Sequence, residues 1–440
     1  MTVFVVVAAV LAVLALLVLV HRWLWIRLVR DTTRAGGAAR RAGTVLAFAL
    51  PLLALAALTS GRAGAPFWVQ RLVAWPGFMW LAVLLYLTLA MLVAEPVRRL
   101  WLRRLTRNAP AAAAPADQAA PAPAPADQAA PVDAARPAPP GPATPALAAA
   151  PQRAGAGDPA AAAPDGVSRR VFVARAVGGA AVAAAAATVG TGTYGVLRGP
   201  RVKRVRVPLA RLPRAAHGFR IAVVSDVHLG PILGRAHTQR IVDTVNRTQP
   251  DLIAVVGDLV DGSVHDLGPA AEPLRLLRSR LGSYFVTGNH EYFSGARQWV
   301  DHVRELGLTP LENARRELPH FDLAGVNDVQ GESEGQGPDF RAALGDRDRS
   351  RTAVLLAHQP VVIHDAVRHG VDLQLSGHTH GGQLWPGNYL AELANPTVAG
   401  LERYGDTQLY VSRGAGAWGP PVRVGAPSDI TVVELASYQA

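Results

Sequence analysis

Cysteine is absent from the 440-residue chain. Its absence excludes disulfide bonds, cysteine-ligated zinc and thiol nucleophiles. The fold must therefore depend on contacts of other kinds, and above all on its hydrophobic core. The absence of cysteine does not identify a redox compartment.

Acidic residues are scarce in the first half of the chain. Residues 1–220 contain 26 Lys and Arg against 7 Asp and Glu, whereas residues 221–440 contain 18 against 26. The formal net charge of +11 therefore averages a basic half and an acidic half. The positive charge flanks apolar segments, where it sets membrane orientation and contacts anionic lipid. We expect no nucleic-acid binding.

Charged residues are missing from three apolar runs, residues 2–20, 44–60 and 75–94. Each run approaches the roughly 20 residues with which a helix crosses a hydrocarbon core about 30 Å thick. We therefore predict a membrane region at residues 1–107 with three transmembrane helices. The first run could instead be a cleaved signal peptide, but no basic segment precedes it and two further runs follow.

Arginines lie mainly on one side of these predicted helices. They are dense between the first and second runs and after the third, and sparse between the second and third. The positive-inside rule then places the N-terminus outside the cell. The dense groups are Arg22, Arg27, Arg30, Arg34, Arg40 and Arg41, and then Arg98, Arg99, Arg103, Arg104 and Arg107.

Large apolar side chains are almost absent from residues 108–167, where PADQAAP begins at both Pro115 and Pro125. Such a segment cannot bury a core, so we predict a disordered, partly extended linker. The next segment, residues 168–198, opens with Ser168-Arg169-Arg170-Val171-Phe172-Val173 and continues as an Ala/Gly/Val run. It resembles a bacterial twin-arginine export signal, and the twin-arginine export machinery is therefore an expected partner.

An ordinary fourth transmembrane span is the alternative for residues 168–198. Either interpretation predicts a multi-pass protein of the cell membrane whose C-terminal half is extracytoplasmic. The basic residues at 198–214 argue for the opposite orientation, because such clusters normally stay in the cytoplasm.

From Arg220 onward, short β-branched runs alternate with helical stretches. This alternation predicts one α/β domain, which we place at residues 199–440. Helices are predicted at residues 238–248 and 297–306, with stops at Pro250 and Gly307. Strands are predicted at residues 221–224, 252–256, 283–286, 353–357, 371–375, 408–411 and 430–433.

Polar residues follow five of these strands, at the carboxyl ends where open α/β sheets build their sites. Their carboxylate, amide and imidazole groups suit Mn, Fe or Zn better than copper or an all-oxygen Ca²⁺ cage. Seven such ligands, one of them shared, predict a hydrolytic centre with two metals about 3.5–4 Å apart. The clusters are Ser225-Asp226-Val227-His228, Gly257-Asp258, Gly288-Asn289-His290-Glu291, Ala357-His358-Gln359 and Ser376-Gly377-His378-Thr379-His380.

Two local features predict how these side chains converge. Asp226 and His228 are two residues apart, as are His378 and His380, so extended backbone would project each pair to one side. Glycine precedes three ligands, at positions 257, 288 and 377, where a backbone without Cβ can turn sharply. Each motif alone is common in unrelated proteins, and only the ordered set is informative.

The ordered set resembles the calcineurin-like metallophosphoesterase family over residues 219–435. The signature Gly377-His378-Thr379-His380-Gly381-Gly382-Gln383 is similar to that of membrane-associated bacterial phosphodiesterases. The resemblance implies an α/β sandwich of two mixed β-sheets flanked by helices, here preceded by an α-helical transmembrane region. One departure is Pro427-Ser428-Asp429, where such proteins usually have Pro-Pro-Glu; it touches no expected ligand.

The resemblance also implies a membrane-anchored, metal-dependent phosphodiesterase that uses two divalent or trivalent ions, Mn, Fe or Zn. A hydroxide bridging the metals would attack the phosphate ester, and His290 would protonate the leaving group or stabilise its charge. Three residues would hold each metal, and one would bridge them. The first set is Asp226, His228 and His380, the second is Asn289, His358 and His378, and the bridging residue is Asp258.

Two alternatives stay open. A receptor or scaffold would keep the fold without turnover, and an inward-facing enzyme would hydrolyse a cytoplasmic nucleotide or phospholipid. The substrate cannot be inferred from the motifs, because a metal site recognises the phosphoryl group and the surrounding loops choose what it carries. Trp385 and Tyr292 follow ligand motifs, but packing on the scaffold explains them equally well, and we leave them outside the site.

Overall fold

A computed structural model of the chain describes residues 2–107 and 168–438. The predicted linker at residues 108–167 lies outside the described residues. Four long helices come first. They are α1 (Thr2–Trp25, continued by a π-helical segment at Ile26–Arg30), α2 (Ala38–Thr59), α3 (Phe67–Arg107) and α4 (Arg169–Leu197).

All four helices are long and apolar enough to cross a membrane. The three predicted runs lie within α1, α2 and α3, except that Ser60 caps the end of α2. The predicted segment 168–198 corresponds to α4 with its two caps, Ser168 and Arg198. Helix α3 has 41 residues, about twice the length of the run that predicted it, because it begins at Phe67, before the run, and continues through the arginine-rich stretch after it. The division of the chain into a membrane region and a following domain stays a prediction.

The rest of the described chain alternates strands with shorter helices. The strands are β1 (Arg201–Leu209), β2 (Arg220–Val224), β3 (Leu252–Val256), β4 (Ser283–Val286), β5 (Thr309–Pro310), β6 (Ala314–Glu317), β7 (Asp322–Gly325), β8 (Ala353–Leu356), β9 (Leu373–Ser376), β10 (Gly400–Tyr404), β11 (Thr407–Val411) and β12 (Asp429–Ser437). The helices are α5 (Arg235–Arg247), α6 (Val264–Ala271), α7 (Asn289–Ser294), α8 (Ala296–Glu305), α9 (Phe340–Leu344), α10 (Ile363–Arg368) and α11 (Gly387–Ala394).

The strands form two six-stranded mixed sheets. The first has the order β1-β12-β2-β3-β4-β5, in which only the β12–β2 pairing is antiparallel. The second has the order β10-β11-β9-β8-β7-β6, with antiparallel pairs at its two edges and parallel pairs between. The predicted fold class, two mixed sheets flanked by helices, is therefore confirmed.

Alternation along the strands explains the layers. In β2, Ile221 and Val223 enter the core between the sheets, while Ala222 and Val224 face the helices that cover the first sheet. Successive side chains of a strand point to opposite faces, so a strand buried on both sides is apolar throughout. Residues of α5 and α8 cover the first sheet, and residues of α9 and α10 cover the second.

The sequence prediction missed β1, because its residues were read as a basic cluster that follows a membrane helix. In the structure the segment is an edge strand, parallel to β12 in register from Arg201↔Asp429 to Leu209↔Ser437. Val207 and Leu209 are buried, whereas most of the basic side chains are exposed or half-buried. Charged side chains on an edge strand discourage pairing with other chains. The basic segment therefore has a role within the domain.

Helix α4 packs directly on the domain near its end. The Arg423 amide lies 3.4 Å from the Gly192 carbonyl oxygen, at the limit of a hydrogen bond. A Cβ at Gly192 would lie 2.7 Å from Val422 Cγ1 and 2.8 Å from the Arg423 carbonyl oxygen, whereas a Cβ at Gly190 would meet nothing within 4 Å. Glycine at 192 therefore permits a backbone approach that no other residue allows.

This contact predicts opposite effects for two glycines in one helix. Gly192→Ala should lower the free energy of unfolding by about 1–3 kcal/mol, because the new methyl group overpacks the junction. Gly190→Ala should leave it unchanged or raise it by up to about 1 kcal/mol, through helix propensity. Denaturant unfolding of the full chain in detergent, followed by tryptophan fluorescence, measures both. Equal stabilities of the two variants would contradict the packing described.

Candidate metal centre

All seven predicted ligands lie at the carboxyl ends of strands, where the two sheets meet. Asp226 and His228 follow β2, Asp258 follows β3, and Asn289 begins α7 after β4. The remaining three come from the second sheet, with His358 after β8 and His378 and His380 after β9. Apolar strands from both sheets therefore deliver polar side chains to one edge of the sandwich.

The backbone at these ligands is unusual. Eight non-glycine residues of the described chain have positive φ, and five of them are predicted ligands. Left-handed backbone costs free energy for residues with a Cβ and persists where the surroundings enforce it, often at functional sites. The expectation that strand alternation aligns these residues is wrong, because the ligands lie beyond the strand ends. The five are Asp226 (φ 52°), His228 (49°), Asp258 (52°), His378 (72°) and His380 (52°).

The glycines before the ligands serve two different purposes. Gly257 has φ +74°, so it makes the predicted sharp turn. Gly288 and Gly377 do not have positive φ, but they allow close approach of the backbone to neighbouring ligand loops. A Cβ at Gly288 would lie 2.2 Å from Asp258 Oδ1, and one at Gly377 would lie 1.8 Å from Ser225 Oγ. The predicted sharp turn is therefore present at Gly257, whereas at Gly288 and Gly377 the prediction of a sharp turn is wrong and close packing requires the glycine.

The first predicted ligand set converges at buried ring nitrogens. His228 Nε2 and His380 Nε2 are 3.0 Å apart, and His380 Nε2 is 3.3 Å from Asp226 Oδ1. The potential ligand atoms of Asp226, His228 and His380 all lie within 4.8 Å of one another. Two imidazole nitrogens and a carboxylate oxygen aimed at one point suit a borderline divalent metal.

The second set converges beside the first. His358 Nε2 is 3.1 Å from Asp258 Oδ2, and His378 Nδ1 is 3.0 Å from Asn289 Oδ1. Asp258 Oδ2 also lies 3.7 Å from His228 Nε2, in the first set. The Asp258 carboxylate therefore stands between the two groups of ligand atoms, as expected of a shared ligand.

One ring nitrogen of His358 has the surroundings expected of a metal ligand. His358 Nε2 is buried and makes no hydrogen bond of acceptable geometry, despite its closeness to Asp258. Its other nitrogen, Nδ1, is 2.9 Å from the Val256 carbonyl oxygen, which fixes the proton on Nδ1. A neutral ring with its proton on Nδ1 would present the Nε2 lone pair to the buried site, which is the arrangement that a histidine needs to bind a metal.

Sequence reasoning missed two groups that hold the ligands in place. Asp261 Oδ1 is 3.0 Å from His228 Nδ1 and 2.6 Å from His290 Nδ1. Arg423 donates from Nη2 to His380 Nδ1 and from Nη1 to the His380 carbonyl oxygen, both at 2.9 Å. Asp261 comes only three residues after Asp258 and could have been suspected, whereas nothing in the sequence connects Arg423 with a ligand.

The Glu291 carboxylate connects the loop that carries Asp258 with the loop that carries Asn289. Its buried carboxylate accepts hydrogen bonds from the backbone amides of Asp258, Leu259 and Gly288, at 2.9, 2.7 and 2.6 Å. Burial, followed by the nearby Asp258 charge, raises the pKa of Glu291 to about 7. This residue belongs to the predicted Gly288-Asn289-His290-Glu291 cluster, but its supporting role was not predicted.

His290 lies at the rim of the site. Its backbone amide donates to Asp258 Oδ1 at 2.9 Å, and its Nε2 is 4.0 Å from Asp258 Oδ2. Burial lowers the pKa of His290, but the hydrogen bond and charge of Asp261 outweigh burial and raise it to about 9. Asp261 therefore favours the protonated form of the ring, and the ring is partly exposed, as a proton donor to a bound molecule must be.

Comparisons with known proteins agree with this geometry. The family described as "Calcineurin-like phosphoesterase" matches residues 219–382. A Danio rerio "Transmembrane protein with metallophosphoesterase domain" is 40% identical over 250 residues, which cover 54% of this chain and 57% of that protein. The chain thus spans little more than half of that relative. An "Uncharacterized metallophosphoesterase" of Aquifex aeolicus is 33% identical over 240 residues, covering 53% of this chain and 91% of that protein.

Among solved structures, a dimetal phosphatase from Danio rerio is similar with a TM-score of 0.32. It is 15% identical, and the similarity covers 49% of this chain and 91% of that chain.

Proposed function

The chain belongs to the calcineurin-like phosphoesterase family, and from that premise we propose that it is a membrane-anchored phosphodiesterase with two metal ions. We further propose that it is of the membrane-associated bacterial type, on the basis of its Gly377–Gln383 signature and its four apolar helices. The metals would be Mn, Fe or Zn, held by the two sets of three ligands and by Asp258 between them.

The position of Asp258 carries this proposal. Its Oδ2 atom lies within 4 Å of ring nitrogens from both ligand sets, at 3.7 Å from His228 and 3.1 Å from His358. A single-metal site would not require a second complete set of nitrogen and oxygen donors. When bound, two such ions polarise the phosphoryl oxygens, lower the pKa of water and neutralise charge on the leaving oxygen.

The protein's own part in the reaction is to hold and transfer a proton. Hydrolysis forms a bond from a water oxygen to phosphorus and breaks the bond from phosphorus to the leaving oxygen. His290 gives its Nε2 proton to that oxygen, while Asp261 on Nδ1 orients the ring and stabilises its protonated form. The proton that water loses passes through solvent, and His290 takes up a proton again before the next turnover. The reaction requires none of the buried carboxylates or imidazoles to act as a covalent nucleophile.

Two alternative functions have less support in the structure. Asp261 also supports the ligand His228, but a receptor or scaffold would have no use for its second contact, with His290, because neither metal site requires the His290 ring. An inward-facing nucleotide or phospholipid hydrolase would require the domain and the arginine-rich helix ends to share one side of the membrane.

The helix contacts support the outward orientation. Arg27 Nη2 of the π-helical segment after α1 pairs with Glu95 of α3 at 2.9 Å, and Arg175, near the start of α4, donates to the Thr32 carbonyl oxygen at 2.9 Å. The start of α4 therefore adjoins the arginine-rich end of the bundle, while Gly192 near its end adjoins the domain. If the arginine-rich end is cytoplasmic, α4 crosses outward and the domain is extracytoplasmic.

We expect a defined effect of His290→Ala on the full chain in detergent. All seven ligands remain, so metal content should stay close to two per chain while turnover falls by about 10²–10⁴-fold. The loss should be smaller for 4-nitrophenyl esters than for alkyl esters, because nitrophenolate leaves without a proton. Steady-state kinetics and elemental analysis of one sample measure both quantities.

His265→Ala is the matched control, since the His265 side chain is 94% exposed and lies outside the ligand sets. It should leave both rates unchanged. Equal losses on the two ester classes in the His290 variant would indicate charge stabilisation in place of proton donation. Wild-type turnover in that variant would remove His290 from the mechanism.

The orientation predicts the behaviour of reporter fusions. Alkaline phosphatase, which is active only outside the cytoplasm, should be active when fused after Ala440 and inactive when fused after Arg107. The reverse pattern would refute the outward orientation.

Replacing Arg169 and Arg170 together by Lys should abolish the external activity if export uses the twin-arginine route, and should preserve it if α4 is an ordinary span.

A further inference from the structure

Exposed apolar side chains gather around the mouth of the metal centre. Among the described residues of the domain, both exposed tryptophans and the one exposed phenylalanine lie there, as does the apolar face of α11. Leu390 and Leu393 are 72% and 85% exposed. Soluble proteins rarely leave such a group uncovered without a binding role. The mouth surface consists of Phe293, Trp385, Tyr389, Leu390, Leu393 and Trp418.

Helix α11 joins this surface to the ligands. It packs on the turn His380–Gly382, where a Cβ at Gly382 would lie 2.3 Å from the Asn388 backbone. Tyr389, Leu390 and Leu393 share one face of α11. None of the residues of α11 is buried. The helix that packs on this metal-ligand turn therefore also presents an apolar face to solvent.

The aromatic members flank His290. The Phe293 ring centroid is 5.5 Å from that of His290, and the Trp418 centroid is 5.8 Å from it on approximately perpendicular planes. Trp418 is held by Gln383, which both donates to its carbonyl oxygen at 2.8 Å and accepts from its amide at 3.0 Å. A molecule that reaches His290 from this direction must pass apolar side chains.

The mouth surface is continuous with the membrane helices. The Tyr86 hydroxyl of α3 donates to the Trp385 carbonyl oxygen at 3.0 Å. A Cβ at Gly419, next to Trp418, would lie 3.6 Å from the Phe78 ring of α3. Leu384 and Val424 pack against the cluster formed by α1, α3 and α4. The apolar surface therefore extends from the transmembrane bundle to the proposed proton donor.

We propose that the substrate is an amphiphilic phosphoester whose hydrocarbon chain rests on the mouth surface while its phosphate enters the metal centre from the bilayer. This inference rests on the proposed phosphodiesterase function and names its substrate class. A hydrocarbon chain fits an uncharged aromatic and leucine surface, and the continuity with α3 supplies a route from the membrane. A water-soluble nucleotide or sugar phosphate would gain nothing from these side chains.

The test uses two chromogenic diesters with the same scissile bond, 4-nitrophenyl hexadecyl phosphate and 4-nitrophenyl ethyl phosphate. The full chain is assayed with Mn²⁺ in detergent micelles, and the quantity of interest is the ratio of kcat/KM for the long ester to that for the short one. The ratio should fall roughly tenfold in the double variant Leu390→Ser and Leu393→Ser, through lost apolar contact. Trp385→Ala, which alters the surface outside α11, should lower the ratio in the same direction.

The control is the double variant Leu276→Ser and Val367→Ser, which removes exposed apolar side chains elsewhere on the domain. It should keep the wild-type ratio. Because the enzyme and the long ester share the micelle in every variant, a fall in the ratio that is confined to the surface variants cannot come from co-localisation in the micelle. Equal ratios in the wild type, both surface variants and the control would overturn the inference and leave the mouth surface as a contact for the bilayer or for another protein. If the wild type hydrolyses neither ester, the proposed phosphodiesterase function fails first.

Discussion

The Asp258 carboxylate is the constraint on which the rest of the site depends. It is buried between two sets of ligands, and several neighbouring groups are arranged around its charge. Burial alone would raise the pKa of Asp258, but the rings of His358, His228 and His290 lower it. The Glu291 carboxylate fixes its backbone, and Gly288 leaves room for its Oδ1 atom. A carboxylate confined in this way needs positive charge beside it, which metal ions supply.

The sequence predicted the elements of this arrangement unevenly. Strands β2, β3 and β4 were predicted within one residue of their bounds, because residues buried on both faces form continuous apolar runs. Strand β9 begins two residues after the predicted start, and the two-residue β5 gives no periodic pattern. Strand β1 was missed because charged residues alternate along an edge strand, which resembles a membrane-flanking basic segment.

The order of the motifs along the chain predicted seven candidate ligands that lie together in the structure, although their role as ligands stays a prediction. The residues that support them could not be predicted. Positive φ at Asp226 or His380 is imposed by tertiary contacts and has no local sequence signal. Arg423 approaches His380 from 43 residues away along the chain, and its amide lies near Gly192 of α4. One residue therefore contacts both α4 and a candidate metal ligand, a relation that only the folded structure reveals.

Metal stoichiometry tests the central claim, a shared carboxylate between two ion sites, most directly. The full chain in detergent is stripped with a chelator, titrated with Mn²⁺ or Zn²⁺ by calorimetry and checked by elemental analysis, beside Asp258→Asn. A carboxamide keeps the size of the side chain but loses the charge that two cations share. The account predicts two ions per wild-type chain and the loss of at least one, with most of the affinity for the other, in the variant. One ion in the wild type, or two ions of unchanged affinity in Asp258→Asn, would contradict it.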